Sequence, residues 1–147
     1  ADFAGSEWAN LHQKRGGMAP VADIQSAIRL NDLLVAGRTE KTFIAAHDLS
    51  QGGLAAAIAE MALKNGVGAD ISLSSPDIEL LSETPGRVIV VVKDEAKLQS
   101  LCDKFQMPVQ KLGITGGDAL IVNGSKISIA ELRKAHTETI PKLFGRN

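Results

Sequence analysis

Tyrosine is absent, and the 147 residues hold one tryptophan and four phenylalanines. Lys plus Arg number 16 against 17 Asp plus Glu, a formal net charge of −1. With no basic block and no aromatics interleaved among cations, a nucleic-acid surface is not expected. No apolar run reaches the roughly 18 residues of a membrane-spanning helix, so no membrane partner is expected. The one cysteine, Cys102, excludes an internal disulfide framework. Leu98, Leu101 and Phe105 lie in helical register with it, and it reads as core filler. A free thiol and no visible secretory leader give a cytoplasmic expectation. Metal-ligand spacings such as CxxC and HExxH are missing, as is a Gly-x-Ser-x-Gly elbow. Self-contained metallo- and serine hydrolases are thereby set aside, and no metal ligand is nominated.

What is present is the make-up of an ordinary globular chain: 44% hydrophobic and 22% charged residues. Chains of this length bury roughly 68–70% of their unfolded surface, enough for one proper core. The reading is an arm over residues 1–20 and one domain over 21–147. In the arm, Ser6 to His12 reads as a short helix that Trp8 docks on the core, with His12 solvated. Ile24, Ala27, Ile28, Asn31, Leu34 and Val35, with Leu30 and Leu33 widening the stripe, then mark an amphipathic helix from Val21 to Arg38, with Gly37 as its stop signal. Thr42 to Ala46 is a strand, and Leu54 to Lys64 an alanine-rich helix whose Leu54, Ile58 and Met61 share one face. That helix reads as buried, and Gly66 and Gly68 break it.

Ala69 to Leu73 alternates as a strand does, and Pro76 opens a short helix through Leu81. The run Val88 to Val92 is β-branched throughout and reads as a central strand covered on both faces. Asp94 to Phe105 is helical, and Val109 to Ile114 is a further strand. Strand, helix, strand, strand, helix, strand is the split βαβ order of ferredoxin-like folds. Asn123-Gly124 suits a type I′ hairpin between Ala119–Val122 and Lys126–Ile127. Ser128 and Glu131 have capping-box spacing for a last helix toward Thr139, with Pro141 just beyond it. His136 on that helix reads as solvated. The expected class is α/β: a three-layer α/β/α sandwich with a mixed or antiparallel sheet.

The stretch His47-Asp48-Leu49-Ser50-Gln51-Gly52-Gly53-Leu54 joins the first strand to the alanine-rich helix. Side chains and free backbone N–H groups meet there at a helix N-terminus, the local geometry of an anion site. His47, Asp48, Ser50, Gly52 and Gly53 are therefore candidates for phosphate or nucleotide binding, the glycines lacking the Cβ atoms that would hold a phosphate off. The same residues also read as an N-cap and a tight turn with no ligand. A second cluster, Ser82-Glu83-Thr84-Pro85-Gly86-Arg87, adds Glu83 and Arg87 to the candidates; alternatively Arg87 pairs with Glu83 to close a turn. A third, Gly113-Ile114-Thr115-Gly116-Gly117-Asp118, leads into a hairpin strand with no helix behind it and reads as a turn. No catalytic residue is nominated.

The ordered series His47 to Leu54, Ala59-Glu60-Met61-Ala62, Gly66-Val67-Gly68-Ala69 and Ser82 to Arg87 resembles the AIR synthase-related C-terminal domain family. The form it resembles closes the large subunit of bacterial phosphoribosylformylglycinamidine (FGAM) synthases. Gly5-Ser6-Glu7-Trp8, Ile129-Ala130-Glu131-Leu132 and Ile140-Pro141 extend the likeness over nearly the whole chain. Gln51 stands where the family usually has Asp, Leu81 where Phe is common, and Pro85 where the first family copy has Gln. The resemblance implies a fragment of an ATP-dependent ligase of purine biosynthesis. That enzyme converts formylglycinamide ribonucleotide to the amidine with glutamine-derived ammonia, using ATP and Mg in its intact form. The implied partners are the remaining domains of the subunit, a glutaminase subunit and a small accessory subunit. It also implies that the catalytic histidine, the Mg-binding residues and the Gly-Asn-x-Ser substrate motif lie in other segments. The isolated domain is then expected to be inactive and to hold no demonstrable cofactor. An alternative role is a structural module that supports the catalytic half without a ligand site of its own.

Overall fold

A computed structural model describes residues 3–18 and 20–145. The elements in order are α1 (Glu7–Leu11), α2 (Ile24–Thr39), β1 (Phe43–Asp48), α3 (Gly53–Asn65), β2 (Ala69–Ile71) and α4 (Pro76–Leu81). They continue with β3 (Val88–Val92), α5 (Glu95–Lys104), β4 (Gly113–Thr115), β5 (Ala119–Val122), β6 (Ser125–Ser128) and α6 (Ile129–Leu143). The α/β class and mixed strand pairing are as expected. The chain divides into two compact units, one of residues up to Ala57 with Asp77–Lys111, the other of Ile58–Pro76 with Leu112 onward.

In the first unit, β1 and β3 pair antiparallel as a two-stranded sheet, Asp48 opposite Val88 and His47 opposite Ile89. Its core gathers Leu33 of α2 with Leu98, Leu101 and Cys102 of α5, and Phe43, Val90 and Val92 pack against them. Burial pushes the Cys102 thiol up from its usual value, with Asp103 adding to the effect, which suits a packing role. Asp94 caps α5 by accepting from the Lys97 amide, and the Lys97 ammonium donates to the Glu40 carbonyl at the end of α2. That places a cation where the dipole of α2 is negative.

Three expectations fail wholly or in part in this unit. Val88 to Val92 is not a central strand: all five residues are half-buried and, among the described residues, β3 pairs with β1 alone. A β-branched run reports that a strand is apolar, not how many neighbours it has. The apolar stripe of α2 holds only in part: Leu33 is buried in the core with Leu34 packed against it and Gly37 beside it, whereas Ile24, Ile28 and Val35 are 64%, 49% and 59% exposed. Two apolar stripes run side by side on this helix, and spacing alone does not choose between them. Gly37 is not a stop signal either. The helix continues to Thr39, and a Cβ on Gly37 would lie 2.3 Å from the Phe43 ring. Alanine normally strengthens a helix over glycine by about 1 kcal/mol, so the glycine here is a matter of close packing.

The second unit holds a four-stranded sheet in the order β4-β2-β5-β6, antiparallel except for β2 beside β5. The split βαβ strands therefore pair in two sheets, β1 with β3 and β2 with β4. The strand expected over Val109 to Ile114 shrinks to Gly113–Thr115. The β5–β6 hairpin turns through Asn123 and Gly124, both at positive φ (49° and 85°), as a type I′ turn requires. The Asn123 side chain also accepts from the Leu73 amide and donates to the Leu73 carbonyl, each at 2.8 Å. The capping box is formed: Ser128 accepts from the Glu131 amide while Glu131 accepts from the Ser128 amide and hydroxyl. Those bonds hold the Glu131 carboxyl below its usual value. α6 runs through Pro141 to Leu143, four residues beyond the expected end at Thr139. Its Arg133 donates to the Leu63 carbonyl in the last turn of α3.

Candidate functional site

The turn from β1 into α3 lies beside the segment that links α4 to β3, within the first unit. β1 persists through His47 and Asp48, and the Leu49 amide donates to the Arg87 carbonyl at 3.0 Å, so the two segments leave their sheet side by side. Gly52 and Gly53 both take positive φ, 76° and 62°, which reverses the chain before the helix. The Gly53 amide donates to the Ser50 carbonyl at 3.0 Å.

The space left by the missing Cβ of Gly53 is filled by protein. An added Cβ would lie 2.6 Å from the Ser82 carbonyl oxygen and 2.7 Å from that of Leu80. A Cβ on Gly52 would lie 2.7 Å from Ala56 Cβ. Gly53 thus admits the end of α4. The neighbouring backbone donor is also engaged: Glu83 Oε1 accepts from the Gly52 amide at 2.9 Å and, with the same oxygen, from the Glu7 amide at 2.8 Å. One carboxylate serves the starts of two helices, α3 and α1, where negative charge is favoured.

Arg87 does not close the turn through Glu83. Its Nε donates to the Thr84 carbonyl at 3.1 Å and its Nη2 to the Ser82 carbonyl, so the guanidinium holds the 82–87 backbone from inside. Burial pulls the Arg87 group down from its usual value. Ser82 is fully buried, its hydroxyl 2.8 Å from that of Thr84. His47 Nδ1 lies 2.7 Å from the Asp48 carbonyl oxygen and 3.6 Å from Asp48 Oδ1.

These residues border a cavity of about 480 Å³ whose walls include Asp48, Ser50, Gln51, Glu83 and Arg87 over an apolar side of Leu30, Leu49 and Val88. Six of the seven sequence-nominated residues therefore meet at or beside one cavity: Asp48, Ser50, Glu83 and Arg87 in its wall, with Gly52 and Gly53 shaping the turn next to it. His47 is not in that wall. Leu30 reads in the sequence only as part of the apolar stripe of α2, because its place in this wall depends on α2 folding over the turn. The charged walls hold two carboxylates and one guanidinium, a poorer setting for an anion than the helix terminus alone implies.

The family model described as AIR synthase related protein, C-terminal domain, matches residues 7–129. The chain belongs to that family. This AIR synthase-related domain is 41% identical to the phosphoribosylformylglycinamidine synthase subunit PurL of Frankia casuarinae, over 99% of the domain and 20% of that protein. It is 42% identical to PurL of a Nocardioides species, over 98% of the domain and 20% of that protein. It thus spans about a fifth of the length of these curated relatives. The structure of T. maritima PurL complexed with ATP is similar to it with a TM-score of 0.66 at 21% identity, over 80% of the domain and 23% of that chain. PurLQS from Thermotoga maritima gives 0.65 at 21% identity, over 76% and 22%. At that identity the likeness is one of fold.

Among the described residues of the AIR synthase-related domain, no group of three or more His, Cys, Asp or Glu is placed to hold a metal ion. No magnesium ligand is assigned to it. The Gly52 amide is already bonded to Glu83, so the helix terminus as it stands does not fit a nucleotide phosphate. No helix among the described residues is long and apolar enough to cross a membrane.

Proposed function

We propose that the chain is the C-terminal domain of an FGAM synthase large subunit, with residues 1–20 as an arm and 21–147 as the domain proper. The intact enzyme would be an ATP- and Mg-using cytoplasmic ligase that converts formylglycinamide ribonucleotide and ammonia to the amidine. Its partners would be the subunit's other domains, a glutaminase and a small accessory subunit. The observation that carries this reading is 41% identity to a PurL across 99% of the chain. The chemistry belongs to the whole subunit. Within it, Asp48, Ser50 and the outer side of Arg87 are the residues left to face a phosphate-bearing ligand. Gly52, Gly53 and Glu83 shape the wall behind them, and His47 braces the end of β1.

One observation favours the second role, a domain that supports the catalytic half without a site of its own: Ile24, Ile28 and Val35 present an exposed apolar stripe on α2. Burying such a face gains about 25 cal/mol per Å², and single exposed apolar residues need no such explanation. Both readings meet in one experiment, in which this chain replaces the last domain of the Frankia casuarinae subunit. The chimaera is expected to restore ammonia- and ATP-dependent amidine formation; a folded, assembled but inert chimaera would refute the enzyme reading. Ile28→Asp in the chimaera is expected to cut the yield of assembled subunit at least threefold. Full assembly with lost turnover would speak against the supporting role.

A further inference from the structure

We propose that Glu83 is a clasp, tying the N-terminal segment to the first turn of α3 and closing that helix terminus to outside anions. The two amides it joins lie 76 and 31 residues away in sequence, at 2.8 and 2.9 Å from the same oxygen. Each end is independently seated. On the α1 side, Ser6 is 1% exposed and caps the helix by accepting from the Ala9 amide, while its hydroxyl donates to the Phe3 carbonyl. On the α3 side, the Leu80 and Ser82 carbonyls fill the space beside Gly53 and fix where residue 83 emerges. Arg87, bonded to the Ser82 and Thr84 carbonyls on either side of Glu83, holds that emergence in place.

The consequence is a coupling. An anion that takes the Gly52 amide must displace the Glu83 oxygen, and the Glu7 amide loses its acceptor in the same event. By reciprocity, a docked N-terminal segment weakens any anion at Gly52 by the factor with which the anion loosens the segment. The clasp does not depend on which reaction the whole subunit performs, so it stands or falls apart from the enzyme reading.

The full chain carries its own reporter. Trp8, the one tryptophan, sits in α1, packed with Phe3 at a centroid distance of 5.1 Å and stacked on His12 at 4.3 Å. The test follows Trp8 emission, amide exchange at Glu7 and Gly52, and amide resonances during titration with inorganic phosphate. In the unsubstituted chain, both amides are expected to be protected and phosphate to leave the Gly52 resonance unmoved. In Glu83→Ala, Trp8 emission should shift to the red, exchange at Glu7 should rise at least tenfold, and phosphate should move the Gly52 resonance. Glu83→Gln, which keeps an acceptor and loses the charge, should fall between the two and guards against an alanine variant that fails to fold. Ser6→Ala should loosen Trp8 while leaving Gly52 closed to phosphate. Unchanged Glu7 exchange in both Glu83 variants would overturn the proposal. So would phosphate that moves Gly52 in the unsubstituted chain without moving Trp8.

Discussion

Gly53→Ala is expected to lower the stability of the chain by about 2–5 kcal/mol, the sum of two separable costs. The first is conformational. Gly53 sits at φ 62°, and an L-residue in the left-handed region gives up roughly 1–2 kcal/mol. The second is steric. The new methyl would stand 2.6 and 2.7 Å from two carbonyl oxygens and 3.2 Å from the Leu81 carbonyl carbon, all backbone atoms that no rotamer change can move. Forcing a carbon into so packed a place typically costs about 1–3 kcal/mol. Gly86 supplies the control. It has φ 77° but nothing within 4 Å of the position its Cβ would take, so Gly86→Ala carries the first cost without the second. Thermal unfolding should place Gly53→Ala below Gly86→Ala by several degrees, since each kcal/mol moves Tm by roughly 2–4 °C in a chain of this size. Equal midpoints would mean that the Leu80–Ser82 backbone does not press on the α3 start.

Gly113→Ala is expected to separate β4 from β2. Gly113 stands opposite Ile71 in the antiparallel pair, and a Cβ there would lie 1.8 Å from the Asp70 carbonyl oxygen and 2.9 Å from Ile71 Cα. The backbone conformation is not the obstacle, because Gly113 is not among the glycines at positive φ. The obstacle is contact alone, and to relieve it the strands must part by more than an ångström. β2 is only three residues long, and on its other side Gly68 lies equally tight, its Cβ position 1.9 Å from the Ala119 carbonyl oxygen. Slack is therefore missing on both sides. The loss should approach the upper end seen for single substitutions, about 4 kcal/mol. Hydrogen exchange should find the Ala69–Ile71 and Gly113–Thr115 amides unprotected first. Protection equal to that of the unsubstituted chain would show that the sheet can shift to admit the methyl.

Local rules carried far in this sequence, and their failures have a common cause. The Asn123-Gly124 turn, the Ser128–Glu131 capping box and the register of α5 each depend on residues within a few positions of one another, and each is found. The Ser82 to Arg87 segment was legible as a polar cluster and the His47 to Gly53 turn as a helix start, and they do meet. Which bonds they form was not legible. Glu83 bonds amides 76 and 31 residues distant, and no spacing announces that one carboxylate will serve both. Arg87 bonds carbonyls that any residue type would provide. Chain-local reasoning leaves the glycines open as a tight turn or as room for a ligand, because it cannot see the Leu80 and Ser82 carbonyls that occupy the space beside Gly53. The side of α2 that meets the core, and the number of strands beside β3, are likewise settled by distant segments.

With Glu83 holding its helix terminus, this domain is expected to carry no complete nucleotide site of its own. The most direct test is calorimetric titration of Mg-ADP, then a non-hydrolysable ATP analogue, into the full chain and its Asp48→Asn variant. No saturable heat is expected in either protein. Saturable binding to the unsubstituted chain that Asp48→Asn abolishes would contradict that expectation and place a working nucleotide site at the turn between β1 and α3.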